Sequence, residues 1–553
     1  PIYRHDTQII TVEPCNCIDP DIEAKRLNAA LKEAQKQLED ILEQTKKVAG
    51  SKEAEIFGAH IVLLSDPELL KKVQDIIQNK HYSAEFAWYQ GTEYYAEMLS
   101  SLDDSYLRER CVDVRDVAQR VLRILQGKSL PGSKMLDYPA IVVAEDLTPS
   151  DTVAFDKTKV LAFCTAKGGA TSHVAILSKA IGIPAVVGVG PILDKLAQNR
   201  LAIVNGESGE IFLDPDKPTV VHYTEMAERL KQSFEEALVY AKQPATSADH
   251  RQFEVVANIG SPADAAKAIE FGAEGVGLLR TEFLFLNREA EPDEDEQYSV
   301  YRKILEHFGK NPVVIRTMDI GGDKPASYLN MAQELNPFLG VRGVRLSLAR
   351  PKVFQTQLRA LLRAGVGYNL KIMFPMVGLL KEVQQIKMHV QEARQSLEKQ
   401  GINYNKDVEV GIMVEIPSAA IMADVLAKEV DFFSIGTNDL SQYTMASDRT
   451  NADVSPMADA LDPAVLRLIQ MVIKAAHENG KWVGLCGALA GDPLATPVLM
   501  GLEVDEFSMN PRSIPYVKQA IRRFVIPQAA EIAEKALTLP SAAAVRKYLQ
   551  AFR

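Results

Sequence analysis

From Phe253 onward the 553-residue sequence carries eight short apolar runs, each followed by a stretch of helical periodicity. The runs lie at 253–259, 275–279, 313–315, 370–374, 408–414, 432–435, 482–485 and 506–509. Few folds accept that pattern. Eight βα units over about 300 residues are what a (β/α)8 barrel requires. Such barrels keep their chemistry at the C-terminal ends of the strands, so the residue following each run is a candidate site residue. Here the second run ends in Arg280, the third in Arg316 and the fifth in Glu415. Asn438 and Asp439 follow the sixth run, Arg449 lies a loop further on, and Cys486 follows the seventh.

Two carboxylates, Glu415 and Asp439, suit a hard divalent cation such as Mg2+ that also uses water and substrate oxygens. Three guanidiniums suit a phosphate and a carboxylate, each held by forked hydrogen bonds. A ligand with both groups and a need for Mg2+ points to a phosphorylated carboxylic acid, a phosphoenol among them, because a metal also stabilises an enolate. Cys486 as a thiol could then give a proton to an enolate carbon. Plainer readings stand beside these. Glu415 and Asp439 could be rim ion-pair partners of the arginines, and Cys486 a small buried apolar residue.

The N-terminal half has a different texture. A β-like start, with a strand expected at 9–12, gives way to period-3.6 patterns at 21–47, 53–64, from Pro67, at 83–102 and at 104–125. In the first of these Leu27, Leu31, Leu38 and Ile41 share one face. Strands return at 140–144 and alternate with turns to about residue 215. Within this region an apolar run at 160–163 leads into Lys167-Gly168-Gly169-Ala170-Thr171-Ser172-His173 and a new helical pattern. That order puts His173 in the first turn of a helix, where free N–H groups and the helix dipole favour an anion. An imidazole there could accept a phosphoryl group. Equally, Thr171 or Ser172 could simply cap the helix, with the histidine facing solvent.

The formal net charge of -11 gives no support to nucleic-acid or anionic-membrane binding. No apolar run approaches the ~20 residues that span a bilayer. The cysteines form neither a zinc pattern nor a disulfide framework, so a reducing cytoplasm is the expected compartment.

Several motifs carry a resemblance. Gly168-Gly169-Ala170-Thr171-Ser172-His173-Val174-Ala175-Ile176 resembles the phosphohistidine motif of the PEP-utilising enzymes. Ala273-Glu274-Gly275-Val276-Gly277-Leu278-Leu279-Arg280-Thr281-Glu282 resembles a barrel signature of that family. So do Arg316-Thr317-Met318-Asp319-Ile320-Gly321-Gly322-Asp323-Lys324 and Ser434-Ile435-Gly436-Thr437-Asn438-Asp439. The helical insert, with Ala59-His60-Ile61-Val62-Leu63-Leu64, narrows the likeness to the enzyme I family of the phosphoenolpyruvate:sugar phosphotransferase system.

That resemblance implies a multidomain α/β protein. A phosphohistidine swivelling domain (1–20 plus 128–218) would hold a helical insert (21–127) that docks the carrier protein HPr. A helical linker and hinge (219–246) would lead to a C-terminal TIM barrel (247–553) that binds phosphoenolpyruvate and forms a homodimer. It implies that His173 takes the phosphoryl group and passes it to a histidine of HPr, with pyruvate released, and that Thr152 orients His173. Arg280, Arg316, Asn438, Arg449 and Lys324 would bind substrate, Glu415 and Asp439 would hold Mg2+ (Mn2+ as the alternative), and Cys486 would be the proton donor. Arg342 lies in a matching signature. The sequence departs from the family pattern at Lys179, usually arginine, at Ala488, usually glutamate, and in the loop 450–462. A nucleotide-dependent PEP-utilising enzyme and a non-catalytic module built on the same architecture are the competing expectations.

Overall fold

The computed structural model describes all residues except 6–9, 49–50, 101–104, 129–135, 157, 169–171, 173, 176, 179–181, 199, 287, 289, 322–326, 330, 332–333, 450, 452 and 553. The chain forms two compact units, Pro1–Ala227 and Glu228–Arg553.

In the first unit, strand β1 (Ile2–Arg4) pairs in parallel with β2 (Ala140–Ala144), which pairs with β3 (Val160–Thr165) and then β4 (Ala185–Val186). Two neighbouring strands, β1 and β2, are thus separated in sequence by five helices. These are α1 (Pro20–Val48), α2 (Ser51–Leu64), α3 (Pro67–Lys80), α4 (Ala84–Ser100) and α5 (Ser105–Leu125). Leu27, Leu31 and Leu38 of α1 meet Leu69, Val73 and Ile77 of α3, Trp88 of α4 and Val121 of α5 in one core. Burying each such side chain contributes about 1.5–3 kcal/mol. The ends of α3 are set by sequence. Asp66 accepts the Leu69 N–H at 2.8 Å, Pro67 opens the helix, and His81 takes the left-handed turn that closes it (φ 54). Gly91 lets α4 approach α3, since a Cβ there would lie 2.6 Å from Val73 Cγ2.

The strand expected at 9–12 is not formed over residues 10–12, and residue 9 lies outside the described residues. A side chain replaces the neighbouring strand. The Ile10 N–H donates to Gln119 Oε1 at 2.7 Å, and Gln119 Nε2 donates back to the Ile10 carbonyl at 3.1 Å. The strand of this segment is β1, nearer the terminus.

After the hairpin β5–β6 (Ala202–Asn205 and Glu210–Leu213), helix α7 (Lys217–Ala241) leads into the second unit. There the eight expected runs are strands. They are β8 (Gln252–Ile259), β9 (Val276–Leu279), β10 (Val313–Arg316), β11 (Leu370–Phe374), β12 (Glu409–Val414), β13 (Phe432–Ile435), β14 (Trp482–Leu485) and β15 (Glu506–Met509). All pair in parallel, and β15 pairs with β8 to close the barrel. A two-residue strand, β7 (Ala245–Thr246), joins β8 antiparallel. Side chains alternate as a closed barrel requires. Phe253, Val255, Ala257 and Ile259 face the large core under the helices. Leu278, Val314, Met373, Met413, Phe432 and Cys486 pack together in a separate, smaller cluster.

Lys518, 1% exposed, fastens the C-terminal end of α7 to the barrel. Its ammonium donates to the carbonyls of Ala241 and Gln243 and to Glu274 Oε1, at 2.9, 3.0 and 2.8 Å. A cation suits the end of a helix, where carbonyls are left over. Replacing Lys518 with methionine keeps the length but removes every one of these bonds. It is expected to cost roughly 2–4 kcal/mol of barrel stability, read as a lower midpoint in chemical denaturation.

Candidate active site

The barrel rim is built on alternating charge. Arg316, the last residue of β10, is almost wholly buried and donates to Glu282 Oε1 at 2.5 Å and to Asp319 Oδ2 at 3.1 Å. Asp319 also receives Arg342 at 3.0 Å. Arg342 reaches on to Asp439 Oδ1 at 3.1 Å, and Asp439 Oδ2 receives Arg449 at 3.3 Å. A continuous chain results: Glu282, Arg316, Asp319, Arg342, Asp439, Arg449. Burial alone would lower the pKa of Arg316. The carboxylates of Glu282, Asp319 and Glu415 outweigh it and hold the group more firmly protonated than usual. Arg342 behaves in the same way, with Asp319, Asp439 and Glu415 outweighing burial.

Arg280 is different. It follows β9 directly, and its guanidinium has no ion-pair or hydrogen-bond partner among the described residues. Burial lowers its pKa, and the neighbouring Arg316 lowers it further. A desolvated cation facing another cation is costly unless an anion joins it. The arrangement therefore favours a phosphate or carboxylate between them.

Glu415 follows β12 and is fully buried. Its Oε1 accepts the Met376 N–H at 2.6 Å, and Oε2 has no hydrogen-bond partner. Met376 adopts φ 58, a left-handed conformation that a bulky residue holds only when its surroundings enforce it. Burial, then the charges of Asp439 and Asp319, push the Glu415 carboxyl up to about 8. A buried carboxylate oxygen with no donor, beside a second carboxylate, fits a bound cation. Oxygen-only donors suit Mg2+ or Mn2+. Among the described residues no group of three His, Cys, Asp or Glu side chains could hold a metal. Two protein carboxylates would therefore be completed by water and substrate oxygens.

Asn438 lies in the helix Thr437–Thr444 after β13. Its Oδ1 accepts the Ala488 N–H at 2.9 Å, which turns Nδ2 into the free donor. Cys486, 3% exposed, has its thiol 3.7 Å from the Ile435 carbonyl. Burial pushes it up to about 11, so it is a thiol and not a thiolate at neutral pH. The barrel thus gathers Arg280, Arg316, Glu415, Asn438, Asp439, Arg449 and Cys486 around one rim. Lys324 lies outside the described residues. The plainer reading of Asp439 as an ion-pair partner also holds, since it binds two arginines, whereas Glu415 makes no ion pair of that kind. Glu282 and Asp319 received no role from sequence alone. A signal existed for Asp319, three residues after Arg316, but that spacing is too common to read without the fold.

In the first unit the stretch around His173 is described in part. Gly168 has φ 93, Ser172 Oγ accepts the Ala175 N–H at 3.5 Å, and Val174 and Ala175 are helical. His173, Thr171 and Lys179 lie outside the described residues. Thr152 is buried in α6 (Pro149–Ala154), and its hydroxyl donates to the Thr148 carbonyl at 3.0 Å. The capping box of Thr148 and Asp151 fixes that turn.

The cysteine environments give a direct check. At pH 8, iodoacetamide is expected to modify exposed Cys15 first. Cys486 should react slowly, gaining only as pH rises toward 11, because a raised pKa leaves little thiolate below it. Peptide mass mapping over a pH series measures both.

Residues 235–526 match the PEP-utilising enzyme, PEP-binding domain. Residues 1–110 match the PEP-utilising enzyme, N-terminal family, and residues 136–209 the PEP-utilising enzyme, mobile domain. The chain is 46% identical to the phosphoenolpyruvate-protein phosphotransferase of Priestia megaterium, over 94% of this chain and 91% of that protein. It is 44% identical to the protein of that name from Bacillus subtilis (strain 168), over 97% and 94%. For the one from Geobacillus stearothermophilus the figures are 43%, over 99% and 95%. With matches of that extent over both units, the chain belongs to the PEP-utilising enzymes.

Proposed function

We propose that this enzyme transfers the phosphoryl group of phosphoenolpyruvate to His173 and from there to a histidine of HPr, releasing pyruvate. One observation carries the reading furthest. At a rim where Arg316, Arg342 and Arg449 are paired, the half-buried Arg280 has no partner among the described residues. The substrate phosphate would lie between Arg280 and Arg316, and Lys324 would join them. Its carboxylate would meet Asn438 Nδ2 and Arg449. Attack by an imidazole nitrogen forms the N–P bond as the bridging P–O bond breaks, leaving enolpyruvate. The Cys486 thiol then gives its proton to the enolpyruvate carbon, which traps the product as pyruvate. A loose phosphoryl-transfer transition state needs position and cations more than a strong base, which is what this rim supplies. Glu415 and Asp439 would hold Mg2+, which when bound supplies charge to the phosphate and the enolate oxygen.

Thr152 has spent its one hydroxyl proton on Thr148, so its oxygen can only accept. An imidazole that donates Nδ1–H to it keeps Nε2 unprotonated and free to attack. This is the orienting role proposed for Thr152. The segment 219–246 would act as the hinge that lets the domain formed by 1–20 and 128–218 serve two phosphoryl partners in turn. HPr would dock on the insert 21–127, where Val62, Tyr94 and Met98 are exposed. A homodimer through the barrel would cover Leu339, Leu379 and Ile421, all well exposed. No described helix is long and apolar enough to cross a membrane.

Incubation with 32P-phosphoenolpyruvate and Mg2+ is expected to give an acid-labile, base-stable label on the wild-type chain and none on His173→Ala. Label retained by that variant, or absent from the wild type, rejects the assignment. Arg280→Lys keeps a charge but loses the fork. It is expected to lower kcat/KM for phosphoenolpyruvate roughly a hundredfold, with unchanged thermal unfolding, by coupled assay of pyruvate release.

A further inference from the structure

One buried ionisable side chain of the barrel interior has no part in the chemistry above. Glu506 on β15 is 1% exposed, and neither carboxyl oxygen has a hydrogen-bond partner. Two glycines make room for it. A Cβ at Gly484 would lie 2.7 Å from Glu506 Oε1, and a Cβ at Gly277 would lie 2.6 Å from the same atom. Gly484 is the residue opposite Glu506 in the β14–β15 ladder. The next residue on that face of the β14 line is Cys486, about 7 Å nearer the rim. The Glu506 carboxyl therefore fills the space of a missing side chain directly beneath the proposed proton donor.

The two levels are linked. Asn258 Nδ2 donates to the Cys486 carbonyl at 3.0 Å and to the Ser508 carbonyl at 3.3 Å, and Ser508 Oγ donates to Asn258 Oδ1 at 2.6 Å. Ser508 Oγ and Glu506 Oε1 flank one point, at 2.5 and 2.6 Å from the position of a Gly277 Cβ. Glu506 is the first residue of β15, at the N-terminal end of the barrel. Glu254, its partner in the β15–β8 ladder, is exposed. Lys371 faces the same region from β11, bound to Glu409 at 2.6 Å, and Asp505 precedes Glu506.

We propose that Glu506 returns a proton to Cys486 after each turnover, fed from the N-terminal mouth of the barrel past Glu254, with the Ser508 hydroxyl as intermediary. The step rests on the proposed role of Cys486 as donor. Protonation of enolpyruvate breaks the S–H bond and leaves a thiolate. The Glu506 O–H bond then breaks as the S–H bond re-forms, and the carboxylate takes its proton from solvent. No electrons are exchanged and no co-reactant is needed. Burial, then the charge of Glu254, push Glu506 up to about 8, so it holds a proton at neutral pH and gives it to a thiolate downhill. Glu506 acts through Cys486 and does not touch substrate.

Glu506→Gln keeps the shape and removes the proton. With the full chain, Mg2+, labelled phosphoenolpyruvate and HPr, two rates separate its role. The first turnover uses the proton already on Cys486, so stoichiometric labelling should proceed at the wild-type rate. Steady-state kcat should fall about tenfold or more, with KM unchanged. The wild-type kcat should decline above pH 8, where Glu506 loses its proton, and that limb should be missing in the variant. Ser508→Ala should lower kcat in the same direction. Wild-type kcat and pH profile in Glu506→Gln would overturn the proposal, as would an equal loss in first-turnover labelling, which marks a merely structural role. A wild-type chain that takes no label would instead reject the activity itself.

Discussion

Six alternating charges, from Glu282 to Arg449, hold the barrel rim together. Two of the pairs, Arg316 with Glu282 and Arg342 with Asp439, join segments that follow different strands, so the chain fixes where those segments stand. Such pairs gain little net stability over apolar packing, because desolvation offsets the Coulomb attraction. Breaking one is another matter, since it strands a buried charge. The value of the network is therefore geometric. It holds Arg316 and Asp439 in place before any ligand arrives, and preorganised charge costs no reorganisation at the moment of reaction.

Against that network two features stand out among the described residues, the unpaired guanidinium of Arg280 and the unpaired Oε2 of Glu415. One is a cation and the other a carboxyl that ionises readily only beside a cation, and they lie at the ends of different strands. A ligand that is anionic and brings a cation satisfies both at once. A phosphate with a bound divalent ion has that character, and a neutral metabolite does not. The site's incompleteness, more than its list of residues, is what speaks for its substrate.

Much of this was legible in the sequence, and the limits have physical causes. The eight strands could be read because buried parallel strands are continuous apolar runs, and the rim residues followed from where those runs end. Ile10–Val12 misled because apolar, β-branched residues also occur where a glutamine side chain takes the place of a neighbouring strand. The pairing of Arg316 with Glu282 and of Arg342 with Asp439 could not be read at all, because those partners are 34 and 97 residues apart and meet only when the barrel closes. The motif before His173 was plain as a pattern, yet Gly168 needs its glycine for a reason only the fold supplies. Its φ of 93 and its closeness to Ser172 exclude a side chain.

Glu506 shows why a barrel interior repays attention after its rim is understood. In a packed barrel an acid without partners is unfavourable, and an apolar side chain would fill the same volume at less cost. Here the chain goes further and clears space with Gly484 and Gly277, each of which also gives up strand stability. Three unfavourable choices meet at one point, two residues along the β14 line from Cys486. Packing alone does not account for them, because packing would favour reversing all three. A demand from the chemistry above does. A thiol that gives its proton to substrate must recover one, and Glu506 lies beneath it on the side away from the rim.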